Sequence, residues 1–236
     1  MARAGAATGA ANRQREPLTG PEIVEAALAL ADAEGLDAVT IRRVATDRGV
    51  THMALYWHFR SKEELLDAIA EHLFAQVALP TSADGSDDPW DRRLLSALSA
   101  ILAVLRPHPA AARLAPARIT SCDAGLRLTD HVLGVLREAG FPGRQSAAIA
   151  TQLLVSIIAL VTGHPGPSKE RDPEDYAAAV RTRTAALTAL DPARFPHVSD
   201  MAADLAECAE DDGYYSAGLE LLAGGVRALA AQLPRP

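Results

Sequence analysis

Between Gly49 and Lys62 the chain reads GVTHMALYWHFRSK, an unusual density of side chains that can donate hydrogen bonds and stack. Thr51, His52, Tyr56, Trp57 and His58 bring a hydroxyl, two imidazoles, a phenol and an indole into little more than two helical turns, with the thioether of Met53 among them. Phenol O–H, indole N–H and imidazole N–H groups all donate to an anionic oxygen. Tyr56, Trp57 and His58 are consecutive, and successive helical side chains fan out around the axis, so the three cannot all point into a core. The chemistry this favours is contact with the phosphates and base edges of a nucleic acid.

The flanking residues supply the elements that would position such a run. Thr40 is a cap for a short helix, TIRRVATDRG, with Val44 and Ala45 facing inward and Gly49 as its stop. Thr51 then caps a second helix, and Val50 and Leu55 have hydrophobic-staple spacing. Two helices joined by so short a glycine turn form a helix-turn-helix. Ahead of them, Thr19 and Glu22 make a capping box, Leu18 and Ile23 a staple, and Gly35 a stop; Ile23, Ala27, Leu30 and Ala31 share one face. Behind them, Ser61 and Glu64 make another box, opening a helix with Leu65, Leu66, Ile69, Leu73 and Val77 on its apolar side. The second helix of a helix-turn-helix enters the major groove with its N-terminal residues at base edges. That assigns Thr51, His52, Met53 and Ala54 to base reading, His52 by hydrogen bonding, Met53 and Ala54 by packing on a thymine methyl. Tyr56, Trp57 and His58 fall toward the groove wall and its phosphates. Lys62 lies in a helical first turn, where positive charge opposes the helix dipole, and is expected to meet a phosphate. Thr40, Arg42 and Arg43 are placed for flanking contacts, and Phe59 for the small core.

Composition agrees with an all-α chain. Alanine and leucine abound, β-branched runs are scarce and only 4% of residues are aromatic. The expected domains are a disordered arm over residues 1–17, a helix-turn-helix head with its connecting fourth helix over 18–79, and a helical body over 80–236, the break falling at PTSADGSDD. Body helices are expected at about 89–106, 109–115, 120–139, 144–163, 173–190, 198–209 and 214–232, with HPGPSKERDP as a loop. The net charge of −7 is unevenly spread. Arg42, Arg43, Arg48, Arg60 and Lys62 face only Asp47 between Thr40 and Lys62, whereas in residues 80–236 acids outnumber bases 19 to 15. A basic patch on an acidic body is the charge footprint of a small DNA-reading head. Cys122 and Cys208 match no metal spacing and are read as reduced thiols of a cytoplasmic protein. No secretory signal is evident at the start. Gln145–Gly163 is uncharged, yet its Thr151, Gln152, Ser156 and Thr162 favour a buried helix over a membrane span. No nucleophile elbow, P-loop, dinucleotide fingerprint or zinc motif argues for an enzyme, a cofactor or a metal site.

Residues 18–78, through TIRRVATDRGV and THMALYWHFRSKEELLDAI, resemble the DNA-binding head of the tetracycline-repressor (TetR) family of bacterial transcription regulators. The ALYWHF run is similar to the tetracycline repressors proper, and YYSAGLELLAGGVRAL (Tyr214–Leu229) resembles their last helix. The resemblance implies a homodimer on palindromic double-stranded operator DNA, released when a small-molecule effector binds the body. An activator, or a ligand-independent DNA-binding protein of the same fold, is the alternative. The apolar circumference of Gln145–Gly163 and of the last helix, with Gly218, Ala223, Gly224 and Gly225 allowing close approach, suits a four-helix dimer interface.

The effector pocket is expected among segments 90–105, 108–118, 122–136 and 149–164. Trp90, Leu94, Ile101 and Leu105 are its apolar candidates, and His108, Arg113, Arg118, His131, Gln152 and His164 its polar anchors. Tetracycline repressors need a histidine metal ligand just after the Arg106–Pro109 turn, where Arg113 aligns, and a second histidine where Ala78 stands. Polar or aromatic positions of their first body helix appear here as Ala97 and Ile101. A thermal-shift titration with tetracycline and magnesium is therefore expected to show no strong, magnesium-dependent stabilisation.

Overall fold

The computed structural model describes residues 18–79, 88–163, 173–207 and 212–234. The N-terminal arm, most of the 80–88 break, the 164–172 loop and Cys208 lie outside the described residues. Those described form α-helices and no strands. The head comprises α1 (Gly20–Glu34), α2 (Ile41–Asp47), α3 (His52–Tyr56) and the first part of α4 (Lys62–Ala75). The body comprises α5 (Trp90–Leu105), α6 (Pro109–Ala112), α7 (Ala115–Arg118), α8 (Asp123–Glu138), α9 (Gly143–Thr162), α10 (Pro173–Thr188), α11 (Pro196–Asp200), α12 (Ala202–Glu207) and α13 (Asp212–Ala230).

Local signals set the head helices. Thr19 and Glu22 close a full capping box: the Thr19 N–H donates to the Glu22 carboxylate at 2.8 Å, which holds that carboxyl below its usual pKa, and the Glu22 N–H donates back to Thr19 Oγ1. At Ser61 the box differs by one residue. The Glu64 N–H donates to Ser61 Oγ, but the Glu64 carboxylate accepts from the Arg60 N–H at 2.7 Å, not from Ser61.

Body helices are held by stripes at 3–4-residue spacing. Leu94, Ala97, Leu98, Ile101, Leu102 and Leu105 are buried along α5. Leu128, Val132, Val135 and Leu136 face them from α8, Ile149, Leu153, Ile157 and Val161 from α9, and Tyr215, Leu219, Ala223 and Val226 from α13. Each fully buried Leu or Ile contributes roughly 1.5–3 kcal/mol. α9 is long and apolar enough to cross a membrane by length and composition. Here it packs on α5, α6, α7, α8 and α13. The segment expected as one helix at 109–115 is a single turn opened by Pro109, and a second turn, Ala115–Arg118, follows with Pro116 as its second residue. The helix expected at 198–209 divides at Met201. α10, α11 and α12 pack chiefly on one another.

One close approach depends on the absence of a side chain. A Cβ on Gly125 of α8 would lie 2.2 Å from the Ile119 carbonyl oxygen, just beyond α7, whereas one on Gly134 of the same helix would meet nothing within 4 Å. Gly125→Ala is expected to cost about 1–3 kcal/mol by overpacking, while Gly134→Ala should be neutral or stabilise by up to about 1 kcal/mol. Urea unfolding of the two variants checks the contrast.

Candidate nucleic-acid interface and body cavity

The reversal between α2 and α3 is a Schellman turn. The Gly49 N–H donates to Thr46 O and the Val50 N–H to Ala45 O, each at 3.0 Å, with Gly49 at φ 64°. That left-handed conformation costs glycine nothing. Leu55, fully buried, anchors α3, and Phe59 follows it into the core. With those two inward, the rest of the helix and its exit face out. Thr51, His52, Met53, Tyr56, Trp57 and His58 are exposed and Ala54 is half-buried. Trp57 is 87% exposed and Met53 58%, which no packing role requires. His52 and Tyr56 meet edge to face, 6.3 Å between centroids. Thr51 makes no side-chain cap bond, so its hydroxyl is not spent on its own helix. Thr40, by contrast, accepts the Arg43 N–H at 3.1 Å as an ordinary N-cap.

Two cations expected at phosphates have internal partners. Lys62 Nζ donates to Leu36 O at 2.9 Å and lies 3.5 Å from Asp37 O. Its charge in the first turn of α4 is offset by carbonyls of the loop after α1, so an outside anion is not needed to explain it. Arg43 is tied to Glu34 (2.6 and 2.9 Å) and Asp47 (2.9 and 3.0 Å), bracing α2 on the end of α1. The Glu34 bond, then Asp47, raises the guanidinium pKa further, and Arg43 in turn lowers that of Glu34. Arg42, Arg48 and Arg60 are exposed.

Polar contacts also join head to body. Arg118 of α7 binds two carboxylates of α4, Asp67 at 2.8 Å and Glu63 at 2.5 Å. His108 Nδ1 lies 2.7 Å from Asp32 of α1. Glu71 of α4 accepts the Ala124 N–H at 2.8 Å, supplying α8 with the cap that Cys122 does not. Burial there pushes the Cys122 thiol pKa up.

A cavity of about 400 Å³ opens among α5, α7, α8 and α9. Of the expected pocket residues that the structure describes, only Ile101 lines it. Leu94 and Leu105 are core, and Trp90 packs against that core. His108 and Arg118 correct the expectation, since both are drawn to carboxylates of the head. Arg113 lines a separate cleft of about 510 Å³ between the loop after α1 and α6. Half-buried His131 lies near Arg93, and burial followed by that charge lowers its pKa. Gln152 is exposed on α9 and His164 is outside the described residues. The walls that sequence reasoning missed are apolar or threonine residues such as Thr129, Leu133 and Ala150. Their only signal was amphipathic spacing, which cannot separate a cavity wall from core.

A glycine-turned helix pair whose second helix faces solvent, packed through α1 and α4 on a helical body, is the architecture of a helix-turn-helix protein. Residues 23–69 match the profile of bacterial regulatory proteins of the tetR family, and 81–230 that of the tetracyclin repressor-like C-terminal domain. The chain belongs to the TetR family. An HTH-type transcriptional regulator of Saccharopolyspora erythraea is 32% identical over 154 residues, 63% of each chain. The class A tetracycline repressor from transposon 1721 of Escherichia coli is 34% identical over 60% of this chain and 62% of its own. The chain thus spans just over six-tenths of the length of these relatives. Among solved structures, the Streptomyces coelicolor TetR family protein ActR in complex with actinorhodin superposes with a TM-score of 0.73 at 25% identity, over 92% of this chain and all of that one.

The Lys62 contacts make a measurable claim. Lys62→Met should destabilise the head by about 1–2 kcal/mol, the worth of a charge-assisted bond to partly buried carbonyls. Circular-dichroism melting detects it as a lowered midpoint at unchanged helical content.

Proposed function

We propose that this chain is a cytoplasmic, homodimeric transcriptional repressor that binds a palindromic operator and is released by a small molecule. The observation carrying the DNA reading is the outward face of α3, with Trp57, Met53 and Tyr56 held exposed by buried Leu55. His52, Met53 and Ala54 read bases, and Tyr56, Trp57 and His58 hold phosphates, with Arg42 flanking. Arg43 and Lys62 support the site from behind.

Two helix faces support the homodimer. On α9, Ala148, Gln152 and Ala159 are exposed, and on α13, Ala217, Leu221, Gly225 and Ala228. Both stripes are uncharged, and Leu221 is 77% exposed. A second copy covering them would form a four-helix bundle and set two heads on successive major grooves, about 34 Å apart. The tetracycline repressor relative and the actinorhodin-bound ActR favour a regulator that takes a small molecule. The cavity and the head meet at α7, where Pro116 and Ile119 line the wall and Arg118 grips α4. Ligand favouring one position of α7 would shift α4 and the spacing of the heads, by population shift between existing states.

Fluorescence anisotropy with the DNA upstream of the chain's own gene tests the reading, and absence of specific binding at moderate salt would overturn it. Tyr56→Ala should weaken binding to all sequences alike. His52→Ala should relax discrimination at one base pair, costing about 1–3 kcal/mol on the preferred site only; equal losses on every site would remove it from base reading.

A further inference from the structure

We propose that the body cavity selects an uncharged, lipophilic effector that carries hydrogen-bond donors such as hydroxyl groups, and takes it without a metal ion. The proposal rests on the ligand-responsive reading above and adds the chemistry of the ligand.

Among the described residues, the cavity wall has no carboxylate, imidazole, thiol, ammonium or guanidinium group. Leucine, isoleucine, valine, alanine and proline make up all of it except Thr120, Thr129 and Thr151. Two such groups of the neighbouring segments are engaged elsewhere, Arg118 on Glu63 and Asp67, His108 on Asp32. An ionised group brought into this wall would lose its water and find no counter-charge, a costly transfer. A divalent ion would find no side-chain ligand of the usual kind.

Two of the wall's three hydroxyls have a direction. Thr129 Oγ1 donates to Gly125 O and Thr151 Oγ1 to Ala147 O, each at 2.9 Å, back along their own helices. A hydroxyl has one proton and two lone pairs. With the proton committed, each oxygen faces a ligand as an acceptor, so the complementary group on the ligand is a donor. The volume of about 400 Å³ lies in the range of sites for small organic molecules.

A matched set of fluorescent anthracenes tests this on the full chain: 2-hydroxyanthracene, 2-methoxyanthracene, anthracene-2-carboxylate and 2-(aminomethyl)anthracene as its ammonium. Titration by probe fluorescence should rank the hydroxyl form first, the methoxy form about fivefold weaker for want of a donor, and both ions at least about fiftyfold weaker. Magnesium should change none of these. Thr129→Val with Thr151→Val should bring the hydroxyl-to-methoxy ratio near one. Leu133→Trp, filling the cavity from a half-buried position, should abolish binding of the neutral probes. Thr120→Asp, at an exposed edge of the wall, should improve the ammonium probe about tenfold, and serves as the check on site if the tryptophan variant does not fold. An ionic probe binding as tightly as the neutral pair, no binding by any of the four, or an ammonium affinity unmoved by Thr120→Asp would overturn the proposal. Operator binding by the ligand-free protein is measured separately. An ionic winner with operator binding intact defeats only the ligand chemistry, whereas failed operator binding defeats the repressor reading and leaves the probe ranking standing.

Discussion

One helix belongs to both halves of this protein, and the rest of the structure depends on how it is held. α4 packs on α1 in the head and on α5, α7 and α8 in the body. Its start is pinned by the Lys62 ammonium on the carbonyls after α1, its middle by Arg118 across Glu63 and Asp67, and its later turns by Glu71 capping α8. A helix of 14 residues is about 21 Å of stiff rod. Its buried Leu65, Ile69 and Leu73 belong to one apolar core that runs from head to body. A shift of the body against α4 therefore cannot be absorbed locally.

The same arrangement explains the use of charge. Exposed ion pairs stabilise little on their own, and the Arg43 set with Glu34 and Asp47 is of that kind. What these contacts do is fix geometry, with Arg43 setting α2 against the end of α1 and Arg118 setting α7 against α4. The wall of the body cavity is apolar apart from three threonines, while Arg118, on α7 beside Pro116 of that wall, binds the carboxylates of α4.

The head was largely legible in sequence. α1, α2 and α4 begin at side-chain caps, and α1 and α2 end at glycines, signals confined to a few neighbouring residues, and Thr19, Thr40, Gly49 and Ser61 all act as local chemistry demands. The outward placing of Tyr56, Trp57 and His58 followed from their adjacency, since a helix has one buried face and Leu55 and Phe59 occupy it. The internal partners of Lys62 and Arg43 were not legible, for a common reason. A cation's partner can be a carbonyl or carboxylate far along the chain (Leu36 is 26 residues from Lys62), and spacing carries no information about it. The body was legible as helices and illegible as a site, because a pocket wall of Ala150, Leu133 and Thr129 has the same residue types and periodicity as solid core.

The sequence by itself determined the helices, the glycine-turned pair and the face that α3 turns outward, because caps, stops and apolar periodicity act over one or two turns of chain. Only the tertiary structure decided which charges are occupied and where the cavity lies. An ion pair is defined by distance across elements, as between Arg118 and α4, and a cavity by the atoms that fail to meet, and neither is a property of any one segment.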